Sequence, residues 1–207
     1  MKNSVKNKII ILSFLILAFL AITLLVVNKN VFIIGLDNTI KTFIENHQLP
    51  SISNLMLSIT KIGNLYEVSA IFLIFGLFLI LKNKKYFYIF TIATSLGALL
   101  PWAIKLLTQI ERPSLLLEQD FSFPSSHATI ATVFLFSSIF LLTPIMKKGF
   151  SKNVFTLVTF VIFPIVAFSR IYLSVHWTSD VIAGIILGSI CFLSAKMICC
   201  YKKENVL

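Results

Sequence analysis

Residues 169–200 read SRIYLSVHWTSDVIAGIILGSICFLSAKMICC. From residue 178 onward this is an apolar run long enough to cross about 30 Å of hydrocarbon as a helix, which takes roughly 17–25 residues. Ahead of it, and in its first turn, stand Arg170, His176 and Asp180. Polar groups this costly beside a membrane are kept for chemistry more often than for packing. The stretch therefore predicts a membrane-spanning helix with a polar site at its mouth.

Working outward, five further apolar runs lie at 9–27, 62–81, 86–109, 126–145 and 154–172, and the sixth spans 178–200. The 207-residue chain is 57% hydrophobic and only 13% charged, against about 25% charged in soluble domains. Its length suits one domain, 1–207. The net charge of +10 does not read as a nucleic-acid surface, because the lysines fall between apolar runs and not on one soluble face. The first run follows Lys2, Lys6 and Lys8 but lacks a clear small-residue cleavage site, so it reads as a retained anchor. Glu67 lies inside the second run. In the connector 28–61, helical spacing recurs at Leu36, Ile40, Phe43 and Ile44, where Asp37 could help to cap the helix. It recurs after Pro50 at Ile52, Leu55, Met56 and Ile59. Two short amphipathic helices on the membrane surface fit this pattern, as do packed connectors that never touch substrate. The expected fold is all-α: an integral membrane bundle of six transmembrane helices with short amphipathic helices between the first two.

Lysine placement gives an orientation. Lys2, Lys6 and Lys8, then Lys82, Lys84 and Lys85, then Lys147, Lys148 and Lys152, then Lys202 and Lys203 all fall on one side if six runs cross. The positive-inside rule makes that side cytoplasmic, with both termini. Lys29, Lys41 and Lys61 fall outside and weaken the asymmetry without reversing it. Three polar strings then meet at the outer face: Lys105 to Arg112-Pro113, Pro124-Ser125-Ser126-His127, and Ser169-Arg170 with His176 and Asp180.

Each string has a bland reading beside a chemical one. His176 and Asp180 are an i,i+4 pair, so on a helix they share a face. The carboxylate could orient the imidazole as a nucleophile, or the pair could merely stabilise a helix start. Lys105 and Arg112 would point the same way while a helix lasts. They could grip an anion or answer the helix dipole. Arg170 near Tyr172 could be an interfacial anchor or a bidentate fork for phosphate oxygens. Ser125 or Ser126 could be an ordinary helix cap, or the helix start an anion site with His127 as a proton donor. Glu111, Glu118 and Asp120 have loop-like spacing that suits substrate gating or plain solubility better than a metal.

Taken together, KLLTQIERP (105–113), PSSH (124–127) and SRIYLSVHWTSD (169–180) resemble the type-2 phosphatidic acid phosphatase and vanadium haloperoxidase superfamily. Its pattern is K-x6-R-P, P-S-G-H and S-R-x5-H-x3-D. Ser126 stands where the family has glycine, adding bulk where backbone approaches phosphate. The resemblance implies that Lys105, Arg112 and Arg170, with Ser125 and the backbone at Ser126, bind the phosphate. It implies that His176 attacks phosphorus to give a phosphohistidine, that His127 protonates the leaving group, and that Asp180 orients His176. No cofactor or metal is implied. The chain resembles the compact bacterial members of that superfamily, of phosphatidylglycerophosphatase B type. The expected protein is a multi-pass lipid phosphatase of the bacterial cytoplasmic membrane acting at its outer face. Its partners are membrane lipids and a lipid phosphate or diphosphate: phosphatidylglycerol phosphate or undecaprenyl diphosphate first, then phosphatidic acid or diacylglycerol diphosphate. A lipid phosphotransferase and a non-enzymatic phosphate-lipid binder are the alternatives.

Three packing expectations complete the reading. Gly184 and Gly188 form G-x-x-x-G and suit close helix contact inside the bundle more than dimerisation. Trp102, Trp177, Tyr66 and Tyr172 suit an outer aromatic belt, and Tyr86, Tyr88 and Tyr201 an inner one. Cys191, Cys199 and Cys200 read as ordinary small membrane residues, and His47 has no catalytic role.

Overall fold

The computed structural model describes residues 2–114 and 116–201. The chain forms eight α-helices in this order among the described residues: α1 (Lys2–Val27), α2 (Val31–Asn46), α3 (Pro50–Thr60), α4 (Leu65–Lys82), α5 (Lys84–Thr108), α6 (Ser126–Ser137), α7 (Phe150–Tyr172) and α8 (Thr178–Tyr201). A wider turn, Ser138–Leu142, and a tighter one, Thr143–Ile145, extend α6. Among the described residues six segments are long and apolar enough to cross a membrane: Val5–Val27, Leu65–Lys82, Lys84–Thr108, Ser126–Ile145, Phe150–Tyr172 and Thr178–Cys199. They coincide with the six runs read from hydropathy. Lys202, Lys203 and Glu204, and the side chains of Cys200 and Tyr201, lie outside the described residues.

Local signals set most boundaries. Asn30 caps α2 by accepting from Phe32 N–H at 3.0 Å, and Pro50 opens α3 where its missing N–H costs nothing. Asn83 caps α5 through Tyr86 N–H. The second span starts at Leu65 and not at residue 62, because Lys61–Gly63 make a tight turn and Asn64 is extended. The third stops at Thr108, where Gln109 takes the left-handed conformation with φ 50°.

Phenylalanines fill the centre of the bundle. Phe90, on α5, is fully buried. It lies 5.3 Å from Phe72 and 5.9 Å from Phe134, ring centre to ring centre, the offset separation that aromatic pairs favour. Helix α8 runs against α6 with no side chain between them at two points. A Cβ on Gly184 would meet the Ser125 carbonyl at 2.6 Å, and one on Gly188 the Thr129 carbonyl at 2.5 Å. The G-x-x-x-G thus serves packing within the chain.

The connector helices α2 and α3 are tied to the bundle by side chains. Gln48 Nε2 donates to the Tyr172 carbonyl at 2.6 Å, and Leu49 N–H donates to the Tyr172 hydroxyl at 3.1 Å. Tyr172 is buried, so it braces this junction and does not join an aromatic belt. Asp37 does not cap its own helix. Its Oδ1 accepts from Ser179 N–H at 2.9 Å and its Oδ2 from the Ser179 hydroxyl at 2.6 Å, which caps α8 instead. Burial pushes the Asp37 carboxyl up, and these hydrogen bonds pull it back only in part.

Candidate active site

The three polar strings meet at one end of the bundle. Lys105 comes from the last turn of α5, Ser125 to His127 from the start of α6, Arg170 from the last turn of α7, and Asp180 from the first turn of α8. Arg112 differs from expectation. It lies beyond α5, in the 109–125 loop, so helical register does not align it with Lys105. Asp120 joins the two cations instead: its Oδ2 lies 2.6 Å from Lys105 Nζ and its Oδ1 pairs with the Arg112 guanidinium.

His176 is also off the helix, in the short 173–177 loop, yet still meets Asp180. Its Nδ1 lies 3.2 Å from Asp180 Oδ2. Its Nε2 lies 3.0 Å from Arg112 Nη1. A guanidinium only donates, so Nε2 must be the bare nitrogen and Nδ1 must carry the proton given to Asp180. His176 is 2% exposed. Burial, then the charges of Arg112, Arg170 and Lys105, hold its pKa well below the ordinary 6.5. The ring is therefore neutral at pH 7, with its Nε2 lone pair accepting from Arg112.

Asp180 is held from three sides. Its Oδ2 accepts from Trp177 N–H at 2.8 Å, the reach-back of a capping box at the start of α8. It accepts also from His176 and from the Ser122 hydroxyl, a short contact. Ser122, fully buried and 3.4 Å from His176 Nδ1, is a site residue the sequence reading missed. Its signal was position alone, two residues before Pro124.

The cations Lys105, Arg112 and Arg170 are buried, and acids from the same loop engage all three. Glu118 bridges the two arginines, with Oε2 at 2.6 Å from Arg112 Nη2 and Oε1 against Arg170 Nη2. Burial alone would raise the Asp120 carboxyl, but the hydrogen bonds and charges of Lys105 and Arg112 outweigh it and hold the group below the ordinary value. Glu118 and Asp120 thus face the cations. The Glu111 carbonyl accepts from Trp177 Nε1 at 2.9 Å, so this indole is tied into the site rim.

Ser125 is the N-cap of α6, its hydroxyl 3.4 Å from Ala128 N–H. Its own N–H donates to the Asp180 carbonyl at 3.1 Å. Ser126 is the first helical residue, partly exposed. His127 follows, with Nε2 at 3.2 Å from Asn64 Oδ1. Arg170 Nη1 donates to Thr60 Oγ1 at 2.7 Å. Thr60 and Asn64 therefore reach the site from a segment that carried no motif. His47 stays apart, its Nδ1 2.7 Å from the Phe43 carbonyl.

Residues 89–203 match the PAP2 superfamily, more than half of the chain. An undecaprenyl-diphosphatase of Sulfolobus acidocaldarius is 32% identical over 179 residues, which are 79% of this chain and 79% of that protein. Phosphatidylglycerophosphatase B of Bacillus subtilis is 35% identical over 80 residues, 38% of this chain and 39% of that one. The crystal structure of a transmembrane PAP2-type phosphatidylglycerolphosphate phosphatase from Bacillus subtilis shares the fold, with TM-score 0.78 at 24% identity over 94% of this chain and 96% of that one. Six membrane-length helices, the three strings gathered at one end of them and a matching sequence over most of the chain lead to one assignment: the protein belongs to the PAP2 superfamily and is a multi-pass membrane phosphatase of that family.

Proposed function

We propose that this enzyme hydrolyses the phosphate monoester or diphosphate of a membrane lipid at the outer face of the membrane, through a phosphohistidine on His176. The observation that carries the reading is the placement of His176 between Asp180 and Arg112. Nδ1 is committed to Asp180, and unprotonated Nε2 accepts from Arg112, with the charges of Arg170 and Lys105 acting on the ring. A site built only to hold phosphate has no use for an oriented, neutral nucleophile.

In the proposed reaction Lys105, Arg112 and Arg170 bind the non-bridging oxygens, joined by Ser125 and the backbone at Ser126. This is electrostatic stabilisation of the charge that grows on the transferring group. His176 Nε2 forms a bond to phosphorus as the P–O bond to the lipid breaks, and Asp180 stabilises the imidazolium character of the ring. His127 gives its proton to the departing oxygen. Water then attacks the phosphohistidine, surrenders its proton to His127, and releases inorganic phosphate as the P–N bond breaks. Three fixed cations supply the charge stabilisation without a metal. The sequence match to an undecaprenyl-diphosphatase over 79% of the chain favours a polyprenyl diphosphate first among substrates, with phosphatidylglycerol phosphate next. Lysine placement supports cytoplasmic termini.

The test is phosphate release from purified enzyme on undecaprenyl diphosphate, phosphatidylglycerol phosphate, phosphatidic acid and diacylglycerol diphosphate, with His176→Ala beside wild type. Release from at least one lipid, abolished in a variant that still purifies as a folded species, is the expected result. Near-normal release by His176→Ala would sink the nucleophile. Consumption of lipid phosphate without free phosphate would mean transfer to another acceptor.

A further inference from the structure

Lys61–Gly63 and Asn64, the tight turn before α4, lie outside all three strings and outside residues 89–203. Yet this turn forms the seat of the His127 ring. A Cβ on Gly63 would meet His127 Cδ2 at 2.2 Å and Cγ at 2.9 Å. Gly63 has no positive φ, so glycine serves space here and not backbone freedom. The next residue, Asn64, sets its side-chain oxygen 3.2 Å from His127 Nε2. An amide oxygen only accepts, so this contact holds a hydrogen on Nε2.

We infer that Gly63 and Asn64 are positioning residues for the leaving-group proton. Gly63 admits the imidazole, and Asn64 binds Nε2–H, so that Nδ1–H is the proton His127 can deliver. The inference rests on the proposed role of His127 as the acid. The balance is complete. Nδ1–H passes to the lipid oxygen as the P–O bond breaks, and His127 becomes neutral with Nε2–H still on Asn64. The attacking water later returns a proton to Nδ1. Three cations surround this site, and they oppose a protonated imidazole. An acceptor on the far nitrogen orients the ring and favours its protonated form over the neutral one. Thr60, in the same segment, accepts from Arg170, so one turn braces both the acid and a phosphate-binding cation.

A leaving group that needs no proton separates this role from a merely structural one. Phosphatidic acid releases diacylglycerol as an alkoxide unless its oxygen is protonated, whereas p-nitrophenyl phosphate releases a stable phenolate. For each, kcat/KM reports the step in which the leaving group departs. General acids contribute about 10²–10⁴-fold, and losing the ring's placement forfeits part of that. Asn64→Ala should lower kcat/KM about 30-fold on phosphatidic acid, and only about twofold on p-nitrophenyl phosphate. Asn64→Asp, which keeps an acceptor, should recover most of the loss. His127→Ala should show the same substrate dependence more strongly. Equal losses on both substrates in Asn64→Ala, while His127→Ala discriminates, would overturn the inference alone. Equal losses in His127→Ala would overturn the acid assignment and the inference with it. Failure of Asn64→Asp to recover activity would refute the acceptor role.

Discussion

Replacing Asp120 with asparagine should tighten the binding of phosphate. In the structure Lys105, Arg112 and Arg170 carry three positive charges, and Asp120 and Glu118 set two carboxylates against them. A phosphate carries about −1.5 to −2 at neutral pH. To reach the same nitrogens it must displace carboxylate oxygens that hold them now. Hydrogen bonds to charged groups contribute about 1.5–3 kcal/mol. The Asp120 side chain is 59% exposed, so solvent screening brings its share down to about 1 kcal/mol. With 1.4 kcal/mol per factor of ten, that is about fivefold. The assay is competitive inhibition of lipid hydrolysis by inorganic phosphate and by vanadate in one detergent and one salt. Asp120→Asn should lower both inhibition constants about fivefold. Glu118→Gln, whose side chain is 28% exposed and which bridges two arginines, should do so about tenfold. The two share Arg112, so the double variant should fall short of the product. If the inhibition constants rise instead, the carboxylates hold the cations in place for phosphate, and the competition argument is wrong.

Three other outcomes are expected. Gly184→Ala should destabilise by about 1–3 kcal/mol through overpacking and lose most activity, because its Cβ would meet the Ser125 carbonyl at 2.6 Å; Gly35→Ala, with nothing within 4 Å, is the control, and equal melting temperatures would refute the close-packing argument. His176 is held well below 6.5 when folded, so the unfolded chain binds the proton first: its contribution to stability is full above about pH 6.5 and is lost as pH falls toward the depressed value, and melting in detergent should show wild type losing ground to His176→Gln across that window, whereas parallel curves would contradict it. Excess EDTA should leave turnover largely intact, and a loss restored by Mg²⁺ would refute metal-free charge stabilisation.

The six spans were legible because a membrane imposes one rule on every residue of a crossing helix. The site strings were legible because buried cations, imidazoles and carboxylates are rare in such a chain. What escaped was reach. Thr60 and Asn64 contact residues 110 and 63 positions away, and no periodicity in 28–64 marks a side chain that points at a distant loop. Asp37 looked like a cap for its own helix because caps are sought in sequence, yet its partner is Ser179. Tyr172 looked interfacial because aromatic side chains at span ends usually are, but its hydroxyl had a backbone N–H to satisfy. Arg112 was expected on a helix that Gln109 had already ended.

The bare seam between α6 and α8 divides the labour of the enzyme. Two backbones in direct contact leave no side-chain rotamers to yield at Gly184 and Gly188, and the bond from Ser125 N–H to the Asp180 carbonyl joins the pair again at the site end. Ser125 and Asp180 are thus held at a fixed spacing at the head of the two helices, while His176 stands on the loop before α8. The loop bearing Glu118 and Asp120, and the turn at Thr60 to Asn64, meet the site through side chains, which can swing. Arg112 stands on that same loop, so in the proposed reaction the pliant part carries a phosphate-binding cation as well as the acids. Substitutions on the seam should therefore lower activity on every lipid alike.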